Sequence, residues 1–84
     1  MDERGREMLE KLRKLRIKNN LLKEDSELRF KQYDKRMNDF SVGSDGYNAY
    51  YDMAREAYKE ALLYQHFVDD LDLLIKGLEE GETK

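Results

Sequence analysis

The chain has 84 residues, no cysteine and no proline, and it carries 16 Lys or Arg against 19 Asp or Glu, a formal net charge of −3. That length holds one domain, residues 1–84, with a modest core. The missing cysteines exclude a disulfide framework and thiolate metal sites, and no stretch approaches the roughly 20 apolar residues that cross a bilayer. No apolar run follows Met1, so neither an export signal nor membrane insertion is expected, and the expected location is cytoplasmic.

The charge is divided along the chain. Residues 1–38 carry 12 Lys or Arg against 8 Asp or Glu, a net of +4, whereas residues 39–84 carry 4 against 11, a net of −7. Charged residues make up 42% of the sequence, which together with regular apolar spacing favours long solvated helices.

The first element is a helix over about residues 3–39. Met8, Leu12, Leu15, Asn19, Leu22 and Ser26, then Phe30, Tyr33, Met37 and Phe40, alternate spacings of three and four, with one extra residue between Ser26 and Phe30. Such an insertion resembles a stutter that relaxes a supercoil locally. The helix is interrupted at Ser41-Val42-Gly43-Ser44-Asp45-Gly46, where two glycines and three small polar residues make a turn over 41–46, with Ser44 or Asp45 placed to cap the next helix.

The second helix spans about residues 47–79, with fraying expected between Gly77 and Gly81. Its seam is continuous: Tyr47, Tyr50, Ala54, Ala57, Ala61, Tyr64, Val68, Leu71, Ile75 and Leu78. Folding the chain back at the turn pairs positions whose numbers sum to about 87. Phe30 and Tyr33 then fall opposite Ala57 and Ala54, and Ser26 falls opposite Ala61. Large against small is how an interior fills without voids. The same pairing sets Lys11, Arg13, Lys14, Arg16 and Lys18 beside Asp69, Asp70 and Asp72.

The fold class is therefore all-α: an antiparallel helical hairpin of two long helices. Tyr51, Tyr58 and Leu62 flank one side of the second seam, and Leu63, Phe67 and Leu74 flank the other. One partner helix cannot cover both, so a homodimer forming a four-helix bundle is expected. The alternative is a compact three-helix bundle in which the first helix breaks near Asn19-Asn20 or Asp25-Ser26.

No nucleophile elbow, phosphate loop, dinucleotide fingerprint or calcium loop occurs, so no enzymatic activity and no cofactor are expected. His66 stands at helical spacing from Asp69 and Asp70, but one histidine with two exposed carboxylates falls short of a zinc ligand set. Five of the six tyrosines lie between Tyr47 and Tyr64, and three of those already hold seam positions. Function is expected to reside in a surface that binds a protein partner, as a small regulator, adaptor or inhibitor. The candidate residues are Ile17, Leu21 and Leu28, which point away from the seam, with the neighbouring Arg13 and Arg16, and secondarily Tyr51, Tyr58 and Leu62. The rival readings are a nucleic-acid-binding module using segment 11–23, where six cations occur without an acid, and a structural assembly component. A negative surface formed by Asp69, Asp70, Asp72, Glu79, Glu80 and Glu82, offered to a basic partner, is a further reading of the acidic half.

Overall fold

The computed structural model describes residues 2–82. Two helices make up the fold, α1 over Glu3–Met37 and α2 over Asp45–Glu82, and they pack against each other as a hairpin. At 1.5 Å per residue such helices are about 50 to 60 Å long, and the molecule measures 60 × 14 × 13 Å. It is a rod: the radius of gyration is 18.6 Å, against about 12 Å for a compact domain of this length.

Helix α1 begins at Asp2, whose carboxylate accepts a hydrogen bond from Gly5 N at 2.8 Å. Glu3 in its first turn and Lys35 and Arg36 in its last complement the helix dipole. The polar pairs at Asn19-Asn20 and Asp25-Ser26 do not break it, so the three-helix alternative is not what forms. Asn19 donates to the carbonyl of Leu15 one turn back, Asn20 donates to Glu24, and Ser26 is buried in the interface. Each polar side chain is satisfied within a continuous helix.

At the turn, Asp39 N bonds Arg36 O and Phe40 N bonds Met37 O, tightening the end of α1. Gly43 has φ +85°, and Ser44 then caps α2 by accepting from Tyr47 N at 3.2 Å. Phe40 folds over Gly46 and stacks on Tyr50, ring centroids 5.6 Å apart. A Cβ on Gly46 would lie 2.5 Å from the Phe40 ring, so this close approach requires glycine. At Gly43 the requirement is backbone alone, since nothing lies within 4 Å of a built Cβ. Gly43→Ala is expected to cost about 1 kcal/mol. Gly77→Ala, in helix with open space around it, should instead stabilise by about 0.5 to 1 kcal/mol. Urea unfolding midpoints moving in opposite directions would establish the pair.

Beyond Gly77 the chain stays helical to Glu82 rather than fraying. Ile75 is buried, Leu78 is half-buried, and Arg13 of α1 holds Glu79 at 2.8 Å, which ties the last turns down despite the glycines.

The interface follows the predicted α2 seam throughout: Ala54, Ala57, Ala61, Val68, Leu71 and Ile75 are buried, and Tyr47, Tyr50, Tyr64 and Leu78 are half-buried. On α1 the structure corrects the reading. Leu9 is 4% exposed and Met8 56%, and Leu15 and Leu22 also face outward. The residues that face α2 are Leu9, Leu12, Arg16, Asn19, Lys23, Ser26, Phe30, Tyr33 and Met37, all buried or half-buried. Their spacings alternate strictly, three and four, so no stutter exists. Arg16 and Lys23 occupy seam positions by laying their stems along the interface while their heads reach Asp72 and Gln65.

Large does meet small, crosswise to the expected rungs. Phe30 and Ala54 line one cleft, Tyr33 and Ala57 line another, and Ser26, 0% exposed, lies beside Glu60. Around Ser26 a polar knot ties the helices together. Arg29 Nη2 donates to Ser26 Oγ at 3.1 Å and to Glu60 Oε2 at 2.8 Å, while its Nε lies 3.3 Å from Asp25 without hydrogen-bond geometry.

Candidate functional site

The hairpin has two broad sides and two outer helix faces, and the apolar and aromatic candidate residues are divided between the first broad side and the outer face of α1. On the first side, α2 presents Tyr51 and Tyr58 seven residues apart, with Leu62 one turn beyond Tyr58. Phe30 of α1 reaches up between them, its ring centroid 5.6 Å from that of Tyr58. Two open clefts result. One, of 280 Å³, lies between Phe30, Tyr58 and Leu62 with Glu27, Lys31 and Gln65 at its rim; the other, of 350 Å³, lies between Phe30, Met37, Tyr51 and Tyr58 with Asp34 and Arg55 at its rim. Phe30 and Tyr58 wall both, so the clefts adjoin along the turn-proximal half of the rod as a groove that this aromatic pair interrupts. The structure thus brings Tyr51, Tyr58 and Leu62 together and adds Phe30, which the sequence placed in the seam. Its alternation with alanines was the available signal: a ring opposite two small residues is not fully covered by them.

Ile17, Leu21 and Leu28 lie on the outer face of α1, all more than half exposed, and line none of these clefts. Arg13 and Arg16 do not join them. Arg13 pairs with Glu79 at 2.8 Å, and Arg16 forms a two-pronged pair with Asp72. The hydrogen bond and the charge of Asp72 together hold the Arg16 guanidinium above its ordinary pKa. Arg16 was expected beside Asp72, whereas Arg13 reaches further, to Glu79. Of the other cations in segment 11–23, Lys14 turns to Glu10 within its own helix, and Lys23 to Gln65 and Glu27. Lys11 and Lys18 make no ion pair among the described residues. Exposed pairs of this kind contribute about 0 to 1 kcal/mol each, so they select register and dilute the basic field more than they stabilise.

On the second broad side Leu63, Phe67 and Leu74 form the other flank of the α2 seam, and the residues that extend this flank across α1 are ones that spacing had assigned to the α1 seam. Met8, Leu15 and Leu22 recur every seven residues on α1, and Phe67 and Leu74 do so on α2, with Leu63 one turn before Phe67. Leu15 and Phe67 line a common cleft with Asn19, Asp70 and Leu71, which places both rows on this side. The strip occupies the open-ended half of the rod, and towards the turn it stops at the Arg29 and Glu60 pair.

Of the polar residues in the α1 seam, Asn19 hydrogen-bonds within its own helix, whereas Ser26 engages α2. No group of three His, Asp or Glu side chains close enough to hold a metal ion occurs among the described residues, and His66 is exposed. No described helix is long and apolar enough to cross a membrane. No protein family matches the chain, and no curated protein or solved structure matches it either.

Proposed function

We propose that this chain is a non-enzymatic protein–protein interaction module, a small regulator, adaptor or inhibitor, which docks an amphipathic helical segment of its partner in the groove of Phe30, Tyr51, Tyr58 and Leu62. The observation that carries the reading is the groove itself. It runs along the rod between two helices, two of its anchors, Tyr51 and Tyr58, stand seven residues apart with Leu62 one turn further, and its rim carries Glu27, Lys31, Asp34 and Arg55. A helix lying in such a groove presents apolar residues at matching intervals and polar ones to the rim. Tyrosines suit the task, since a rigid ring supplies area at little entropic cost and its hydroxyl stays wet. The outer stripe of Ile17, Leu21 and Leu28 is a flat helix face without walls, so the groove is favoured over it.

A photo-cross-linking phenylalanine analogue at position 58 tests the reading in extract of the native cell. A discrete protein adduct is expected, competed away by unlabelled chain and lost with Leu62→Glu, while the same analogue at the outward-facing Leu73 gives none. Equal labelling from both positions rejects the groove.

The basic segment supports the rival reading poorly, because Arg13, Lys14, Arg16 and Lys23 are engaged by Glu79, Glu10, Asp72 and Gln65. Phosphate binding requires free cations whose counterions are released. In a gel-shift titration with random duplex DNA the expected outcome is no retarded band even at low salt; a shift that weakens steeply as salt rises would reverse the ordering of the two readings.

A further inference from the structure

We infer that the second broad side, the strip of Met8, Leu15, Leu22, Leu63, Phe67 and Leu74, is the face on which two copies of this chain pair lengthwise into a four-helix bundle. Three observations meet here. The first is area. The chain exposes 6594 Å², about 1,300 Å² more than the ~5,300 Å² of a compact monomer of its mass. A standard interface removes about 800 Å² per partner, so one such contact absorbs most of the excess.

The second observation is the pattern. Each helix carries an apolar row beside its seam, Met8, Leu15 and Leu22 on α1, where the seam itself includes Arg16, Asn19, Lys23 and Ser26, and Phe67 and Leu74 on α2, where the seam is apolar. The opposite flank of α1 reads Arg13, Asn20, Glu27 and Asp34. A helix that uses two seam rows and one flank is the bundle pattern, whereas a plain two-helix seam needs only two rows. Both apolar flanks converge on the same side of the hairpin, which a two-helix fold has no use for. The six side chains are 36 to 57% exposed.

The third observation is charge, and it selects the symmetry. Lys11 and Lys18 border the strip on α1, each three residues after one strip leucine or methionine and four before the next, and Asp70 borders it on α2 between Phe67 and Leu74. None of the three has an ion-pair partner among the described residues. A two-fold axis across the rod sets α1 against α1 of the other copy, lysine facing lysine and aspartate facing aspartate. A two-fold axis along the rod sets α1 against α2 of the other copy. Leu15 and Asn19 lie level with Phe67 and Leu71 in the hairpin, so Lys18 of one copy then stands level with Asp70 of the other. The same axis brings the two Arg29 and Glu60 pairs into an alternating ring, and it leaves the groove of Tyr51 and Tyr58 open on both outer sides.

Sedimentation equilibrium of the full chain should return twice 10.1 kDa. Leu15→Glu and Phe67→Glu should each weaken self-association by more than about tenfold, by setting a charge in an apolar interface. Leu62→Glu, on the other side, should leave the doubled mass unchanged, which separates this inference from the groove reading. A second measurement covers a variant that unfolds. Because the chain has no cysteine, Lys18→Cys and Asp70→Cys chains can be mixed and treated with a short bis-maleimide. Cross-linking of unlike chains is expected. A single-chain mass at every concentration, or cross-linking of like to like, overturns the lengthwise pairing.

Discussion

Ala57→Leu is expected to lower the unfolding free energy by about 2 to 3 kcal/mol, towards the upper end of what overpacking costs. Ala57 is buried beside Tyr33, in the run Ala54, Ala57, Ala61 that faces Phe30 and Tyr33. Small residues there let the helices approach until Ser26 is sealed and Arg29 spans to Glu60. An added isobutyl group has two ways to fit. Either the tyrosine ring leaves its place against the alanines, or the helices separate and the buried hydroxyl of Ser26 loses its seal. A domain of this length is stable by only about 4 to 13 kcal/mol in total, so the loss is a large share of it. Urea unfolding followed by far-ultraviolet circular dichroism reads the change, with Ala49→Leu on the exposed face as the control. An unchanged midpoint for Ala57→Leu would show that bulk at this position is not limiting, and the size-matching account of the hairpin would fall with it.

That size matching is also where the sequence was most legible. The α2 seam is written in residues whose class and position agree, alanines in the half that faces Phe30 and Tyr33 and aliphatics towards the open end, so every one of its ten positions could be read by spacing. The seam of α1 is written partly in charged residues. Arg16 and Lys23 bury their stems and export their charges, and a search for apolar recurrence passes over them to Leu15 and Leu22, one residue away on a genuine but different stripe. Joining that stripe to the true seam at Ser26 creates an extra residue, which reads as a stutter. The same error hides the α1 half of the second apolar side, because apolar recurrence assigns Met8, Leu15 and Leu22 to the interior. Tyr51, Tyr58 and Leu62 were legible because they flank a seam that was placed correctly. The reach of Phe30 towards Tyr58, and the choice of Glu79 over Asp72 by Arg13, depend on side-chain rotamers that spacing does not encode.

The two registers of α1 make opposite claims about neighbouring residues, and Leu9→Ala against Met8→Ala decides between them. Leu9 is 4% exposed, while Met8 is 56% exposed. Truncating a buried leucine to alanine costs about 2 to 5 kcal/mol, the sum of lost transfer energy and the cavity left behind. Leu9 is near the open end, where the last turns can close partly over a cavity, so a loss of about 2 kcal/mol is expected. Met8→Ala removes surface already in water and should stay within about 0.5 kcal/mol, provided the protein is dilute enough that copies do not pair. Raising the concentration adds a second comparison. If the strip holds two copies together, Met8→Ala becomes costly as the chain associates, whereas the loss from Leu9→Ala is present at every concentration. A Met8→Ala loss that equals or exceeds that of Leu9→Ala in dilute protein would return Met8 to the interior, and the strip would lose the end of its α1 row.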